Sequence, residues 1–424
     1  MLTTLQYIDV GGNYIKGEFY PEICNLNKLG FLGMSNNDLG GSLPTCLSRM
    51  TDLSYLLLSN NQFSGQLPDL TNLTKMTNLY LDSNRLLGGI TSAFNTMYNL
   101  VELLVEDNLF TANLDSNFLS QSSHLQLLDI SGMGLHGQFP GHLLSTANLT
   151  ILDLHYNQLT GTIPTVSSDN KQLKFLAFQQ NKFSGDLPAT LANLLVLEHL
   201  DASSNSFDGT ISSEIGSMSD LSYLFLADNN FQPGPIPSSF TQMTKLQELS
   251  LKSTARTGTI PSFLGNLTDL IFLDLGNNHF SGQLPADLGN LTNLKFLLLN
   301  RNQYVSGDIP PSFSKLKQLS AAFFDMTSLT RGFTVMCGLP NFNHTPNPNI
   351  HFGNELLSAN CAGPYPEVTC HCCELCCSSD QMNCNQNTLV ASLDPMWEYS
   401  FDRAEYTFNQ HNASAWFDYV PYSG

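Results

Sequence analysis

The chain has 424 residues and carries 17 Lys+Arg against 36 Asp+Glu, a formal net charge of -19, with charged residues making up only 12% of it. Nucleic-acid binding rests on basic side chains neutralising phosphates, so this balance argues against it and equally against docking on an anionic membrane surface. No apolar run reaches the roughly 20 residues of a transmembrane helix.

The pattern starts abruptly. Leu5 already fits a recurring strand, and only Met1 to Thr4 precede it, with no basic segment and no apolar signal core. A stacked coil needs a polar cap over its apolar end, so the chain is read as a fragment or incomplete product that lacks its N-terminal cap. From Leu5 onward one motif repeats, shown most fully by Leu270 to Pro285, LIFLDLGNNHFSGQLP. Its apolar residues Leu270, Leu273, Leu275, Phe280 and Leu284 suit neither one helix nor one strand, whereas a coil with one short strand per turn points them all inward. Gly282 permits a backbone bend and Pro285 fixes the outer segment. Equivalent first positions are Leu5, Leu29, Leu53, Met76, Leu100, Leu125, Leu149, Leu173, Leu197, Leu221, Leu246, Leu270, Leu294 and Leu319, fourteen coils spaced by 23 to 25 residues.

The ninth position is Asn13, Asn37, Asn61, Asn84, Asn108, Asn157, Asn181, Asn205, Asn229, Asn278 and Asn302, replaced by Met133, Thr254 and Thr327. An amide there bonds backbone groups of the turn that would otherwise be buried unpaired. In the eleventh coil Arg256 takes the place of Phe280, and a guanidinium in that core must turn outward or meet an acceptor. The fold expected is an α/β solenoid, a right-handed superhelix of about 14 coils with a concave parallel sheet. Its boundaries are 1–332 for the solenoid and 333–424 for a cysteine-rich, aromatic C-terminal cap.

The outer segments vary around GxIPxxLxxLxx, as in Gly161-Thr162-Ile163-Pro164 and Gly258-Thr259-Ile260-Pro261. Here the sequence resembles the plant-type extracellular leucine-rich repeats of receptor-like kinases, receptor-like proteins and polygalacturonase-inhibiting proteins. That resemblance implies a twisted superhelix with short helical turns on its convex side, and a role in signalling or defence. It covers Leu5 to about Gly332 and informs the fold more than the ligand, because the matching positions are core positions.

Cys24 and Cys46 lie in the outer segments of the first two coils, out of register by two residues. A bridge between them is open but not favoured, and buried free thiols are expected. Cys337, Cys361, Cys370, Cys372, Cys373, Cys376, Cys377 and Cys384 crowd the tail, and eight cysteines allow about 105 pairings. CxCCxxCC at Cys370 to Cys377 is also a metal-thiolate spacing that His371 could join. The sequons at Asn72, Asn148, Asn266, Asn290, Asn343 and Asn412 favour disulfides in a secreted chain, with no metal and no cofactor. The knot, with Leu393-Asp394-Pro395-Met396-Trp397-Glu398-Tyr399 after it, resembles the end of many diatom leucine-rich repeat receptor-like proteins. That implies an ectodomain cap. Trp397 and Trp416 are expected to seal the last coil or pack on the knot.

No phosphate loop, GxSxG elbow, HExxH or kinase signature appears, and His155 and His199 lack an assigned nucleophile, so the chain is not read as an enzyme. The sheet face offers a binding surface instead. Tyr80, Asp82, Glu102, Glu106, Asp107, Asp129, Asp153, His155 and Tyr156 fall on or beside one patch of the fourth to seventh coils. Asp129 and Asp153 occupy one row of adjacent strands, about 5 Å apart at the backbone. Such repulsion favours a basic partner, although aspartate also recurs in this row at Asp9, Asp201 and Asp274. The expected function is extracellular or cell-surface recognition of a protein or peptide, as receptor-like ectodomain or secreted inhibitor. The alternative is a structural or adhesive wall glycoprotein.

Overall fold

The computed structural model describes residues 4–90, 94–111, 113–114, 116–342, 356–359, 370, 372–373, 375–378 and 381–384. Asn343, Asn412, Cys361, His371, Trp397 and Trp416 lie outside these residues. Two compact units are present, Met1–Thr257 and Gly258–Gly424.

In the first unit each repeat contributes one three-residue strand, at its third to fifth positions, from Tyr7–Asp9 through Phe31–Gly33 and Tyr55–Leu57 to Glu248–Ser250. Eleven such strands pair in parallel, each with the next in sequence and in unbroken register. Brevity follows from the repeat. The fourth position is a leucine driven inward, and the eighth takes a left-handed conformation, φ +52° at Asn60, that turns the chain out of the sheet. In the third coil Leu53, Leu56, Leu58 and Phe63 are all fully buried. Eleventh-position rings stack between coils, with Phe207 and Phe231 6.2 Å apart at their centroids.

A second row of short parallel strands runs after the turn, Lys16–Glu18, Asp38–Ser42, Gln62–Gln66, Arg85–Gly88 and Leu109–Phe110, and resumes from Asn113–Leu114 to Ser206–Phe207. The apolar periodicity did not reveal this row, because its residues alternate around glycines and small polar side chains. The outer segments close in 3-10 turns such as Ala189–Asn193.

The second unit repeats the plan with Phe272–Asp274, Phe296–Leu298 and Ala321–Phe323 in parallel register. Its sheet does not stop at the last leucine repeat: Leu356–Ala359 pairs with Ala321–Phe323, and Leu375–Ser378 pairs with Leu356–Ala359. Gln381–Cys384 then returns antiparallel. Before these, the chain leaves the last coil through the helix Phe333–Cys337.

The ninth-position asparagines bond as their spacing predicts. Asn181 donates its amide to Leu154 O (2.9 Å) in the preceding coil and to Phe178 O and Gln179 O in its own, while its Oδ1 accepts Leu159 N at 3.0 Å. Asparagines 61, 84, 157 and 205 repeat the arrangement. Where threonine replaces asparagine, the hydroxyl takes the own-coil carbonyl: Thr254 Oγ1 donates to Leu251 O, and Thr327 Oγ1 to Phe324 O, both at 2.6 Å. Arg256 stays inside at 2% exposure and meets acceptors there, its Nε on Thr254 O (2.9 Å) and Nη2 on Gln232 O (2.5 Å). Burial lowers its pKa.

One expectation is overturned. Cys24 and Cys46 are not free thiols but a disulfide, with Cα atoms 6.0 Å apart. Both sit on 3-10 turns, Pro21–Asn25 and Thr45–Arg49. A 3-10 turn rises only about 2 Å per residue, so a two-residue offset between stacked turns stays within disulfide reach.

Asn181→Ala leaves the buried Leu159 N–H without its acceptor and removes one of the two donors to each of Leu154 O, Phe178 O and Gln179 O, and a loss of about 2 kcal/mol or more is expected in urea unfolding. Exposed Asn148→Ala, which gives up one bond to Ser123 O, should cost under about 0.5 kcal/mol. Equal costs would contradict the assignment of the ladder as a core element.

Candidate functional site

Tyr80, Glu102, Asp129 and Asp153 fall on four adjacent strands of the first unit, Asn78–Tyr80, Glu102–Leu104, Leu127–Asp129 and Ile151–Asp153, and Asp82, Glu106, His155 and Tyr156 lie two or three residues past the ends of three of them. Register sets Tyr80 opposite Leu104, Leu104 opposite Asp129, and Asp129 opposite Asp153. Within that frame the residues form two groups.

In the first, the Tyr80 hydroxyl donates to the Glu102 carboxylate, which also accepts Asn78 Nδ2 at 2.7 Å. Burial and the Glu102 hydrogen bond push the Tyr80 phenol well above its usual range. Asn78 was not singled out in the sequence. It sits two residues before Tyr80, on the same side of the strand, and that alternation was the available signal.

The second group is acidic. Asp82 and Glu106 share the seventh position of adjacent coils, and Asp129 and Asp153 the fifth position of the next two. Asp82 accepts Ser59 Oγ at 2.5 Å, and its carboxyl is pushed up to about 6, chiefly by burial. Burial raises Asp129 to about 7, with the Asp153 charge adding to it. Glu106 is raised to about 11 by burial and then by Asp129 and Asp82. Its Oε2 is enclosed and has no hydrogen-bond partner among the described residues. Asp153 differs, because its Oδ1 lies 2.6 Å from His155 Nδ1. The His155 ring meets Tyr156 edge-on at 5.3 Å, and Tyr156 is 48% exposed. Ser59 was not singled out in the sequence, whereas Asp107, whose charge adds to the rise at Asp82 and Glu106, was.

Recurrence of aspartate at the fifth position has a structural cause. Asp9, Asp129, Asp153, Asp201 and Asp274 each accept, through Oδ1, the backbone N–H two residues on, at 2.9 to 3.1 Å. An aspartate there ends the strand by closing a local turn. At position seven, Asp82 and Glu106 instead each accept a backbone hydrogen bond within their own residue.

Among the described residues, the three-ligand set close enough for a metal is Cys337, Cys370 and Cys372, and all three are in disulfides. No helix among the described residues is long and apolar enough to cross a membrane.

The Leucine Rich Repeat family matches residues 52–73, 148–169, 196–218 and 269–291. No curated protein matches the chain. Among solved structures, it is similar to the plant peptide hormone receptor RGFR1 in complex with RGF2, at 28% identity and a TM-score of 0.73, over 84% of this chain and 56% of that one. It is also similar to the Arabidopsis receptor kinase HAESA ectodomain in complex with an N-terminally extended IDA peptide hormone, at 26% identity and a TM-score of 0.68, over 84% and 62%. A Leptospira interrogans leucine-rich repeat protein matches at 27% identity and a TM-score of 0.58, over 77% and 86%. The chain thus spans less than two thirds of the two plant receptors. Its repeats are leucine-rich repeats, similar to those of plant receptor ectodomains.

The acidic group makes stability depend on pH. Asp82, Glu106 and Asp129 hold protons more tightly folded than unfolded, so the stability they contribute is full below about pH 4. It declines as pH rises toward 6 and 7, where Asp82 and Asp129 titrate in the folded chain. Urea midpoints should therefore be higher at pH 5 than at pH 8, and Glu106→Gln should raise the midpoint at pH 8 more than at pH 5. A midpoint that rises with pH across this window would contradict the protonated cluster.

Proposed function

We propose that this chain is an extracellular recognition module that binds a protein or peptide of basic character on the sheet face of its first unit. The observation that carries this reading is the cluster of Asp82, Glu106, Asp129 and Asp153, carboxyl groups on neighbouring coils in which burial and the charges of Asp129 and Asp82 raise Glu106, and burial and the charge of Asp153 raise Asp129. Crowded acids are relieved by a cation, and Tyr156 beside His155 offers an exposed ring to anchor it. The plant receptors it resembles were solved with peptide hormones, and this supports a peptide-binding role here. The tail motif supports the same reading through its resemblance to diatom receptor-like proteins, and residues 333–424 are proposed as the cap of that ectodomain. Binding and positioning need no reaction chemistry, so the chain is taken to be non-enzymatic.

The described sequon asparagines, Asn72, Asn148, Asn266 and Asn290, are all exposed, as N-glycosylation requires. The same exposure, with the net charge of -19, is what favours the alternative of a structural or adhesive wall glycoprotein.

A lysine- and arginine-rich decapeptide serves as the probe. Asp129→Asn with Asp153→Asn should slow its association several-fold at about 20 mM salt, and the difference should vanish near 0.5 M, where the Debye length falls to about 4 Å. An on-rate unchanged at low salt would sink the basic-ligand reading. Secretion from a eukaryotic host should yield glycan mass at the four exposed sequons, removable by an endoglycosidase; peptides that all map unmodified would count against the extracellular assignment.

A further inference from the structure

Four cysteines meet in the second unit. Cys370 is bonded to Cys373, three positions on, and Cys337 to Cys372, 35 positions on, each pair with Cα atoms 5.5 Å apart. Cys337 ends the helix Phe333–Cys337, so its bridge ties that helix to the cysteine-rich segment. The two bridges touch. Sγ of Cys370 lies 4.0 Å from Sγ of Cys372, and the sulfurs of Cys337, Cys370 and Cys372 are all within 4.8 Å of one another.

Burial separates their roles. Cys337, Cys372 and Cys373 are 6%, 1% and 6% exposed, whereas Cys370 is partly open to solvent. Exchange requires a thiolate to reach a disulfide sulfur, so access decides which bridge is attacked and at which end. Cys370 is also the first residue of a C-x-x-C sequence, a spacing that lets both thiols of a reduced pair stay within reach of each other.

We propose that Cys370–Cys373 is an exchange-active disulfide, a site for an external dithiol, and that its reduction opens the buried Cys337–Cys372 bridge from within. The steps balance. A thiolate of the dithiol attacks Cys370 Sγ, forming a mixed disulfide, and Cys373 leaves as thiolate and takes a proton. The dithiol's second thiolate closes its own ring and expels Cys370 as thiolate, so the dithiol has given two electrons. Cys370 then attacks Cys372 Sγ across the 4.0 Å contact, and Cys337 departs as thiolate and is protonated. One disulfide has been reduced and the other moved from Cys337–Cys372 to Cys370–Cys372. The helix Phe333–Cys337 loses its covalent tie to the cysteine-rich segment. The segment's covalent hold on the last coil is therefore a function of redox state, and two bridges of unequal access give it a threshold.

The test uses the full chain, limiting dithiothreitol, an acid quench, N-ethylmaleimide and peptide mapping by mass spectrometry. The expected order is label on Cys373 first, accompanied by Cys370 and later by Cys337, while Cys372 stays unlabelled. Cys370→Ser with Cys373→Ser should slow labelling of Cys337 at least about tenfold, since direct attack must then reach a buried bridge. Cys337 and Cys372 labelled together and ahead of Cys373 in the unaltered chain would overturn the proposal without need of the variant. An unchanged Cys337 rate in the variant would overturn it too.

Discussion

A coil of some 24 residues built from short strands and a tight turn leaves backbone groups in between to be paired, and buried unpaired amides and carbonyls cost about 1–3 kcal/mol each. The asparagine at the ninth position resolves this. One side chain serves carbonyls in two coils and an amide in the preceding one, so each coil is satisfied only when its neighbour is in place. Stacking is thereby enforced by hydrogen bonds as well as by leucines, and register between coils is held to the residue. The threonines at 254 and 327 keep the bond to a carbonyl of their own coil. At residue 133 the next coil compensates, with Asn157 Oδ1 accepting both Met133 N and Leu135 N.

That register produces the rows of the sheet face. Rows of side chains align because strands pair residue for residue, so any charge placed at a given repeat position meets its neighbours along the row. Fifth-position aspartates are held in place by the backbone N–H they accept, and their charge follows from the turn they close. Seventh-position acids are different. Asp82 and Glu106 in the first unit, like Asp325 in the second, put an acid at the seventh position, and burial holds the proton on each more tightly than in water.

The same stacking logic extends past the leucine repeats of the second unit. Leu356–Ala359 continues the parallel sheet without a ninth-position asparagine. There Ser358 Oγ donates to buried Asp325, and the Ser358 carbonyl accepts the Phe324 N–H at 3.2 Å. Disulfides then do covalently what the ladder does by hydrogen bonding.

Repeat length, core positions, the asparagine ladder and the row of Asp129 beside Asp153 were all legible in the sequence, because a linear period maps directly onto neighbours in a solenoid. The fourteen strand starts follow from counting alone. What counting could not supply was anything dependent on the path between repeats. The second strand row has no apolar period; the Cys24–Cys46 bridge depends on how tightly two 3-10 turns coil; the strand at Leu356–Ala359 lies outside the repeat. The split of the site into Tyr80 with Glu102 and Asp82 with Glu106 and Asp129 also needed coordinates, since side-chain reach and burial decide which acids feel each other. Sequence determined which residues share a row, through a period set by backbone geometry, and tertiary structure decided which of them are buried, bonded or left with charge to offer.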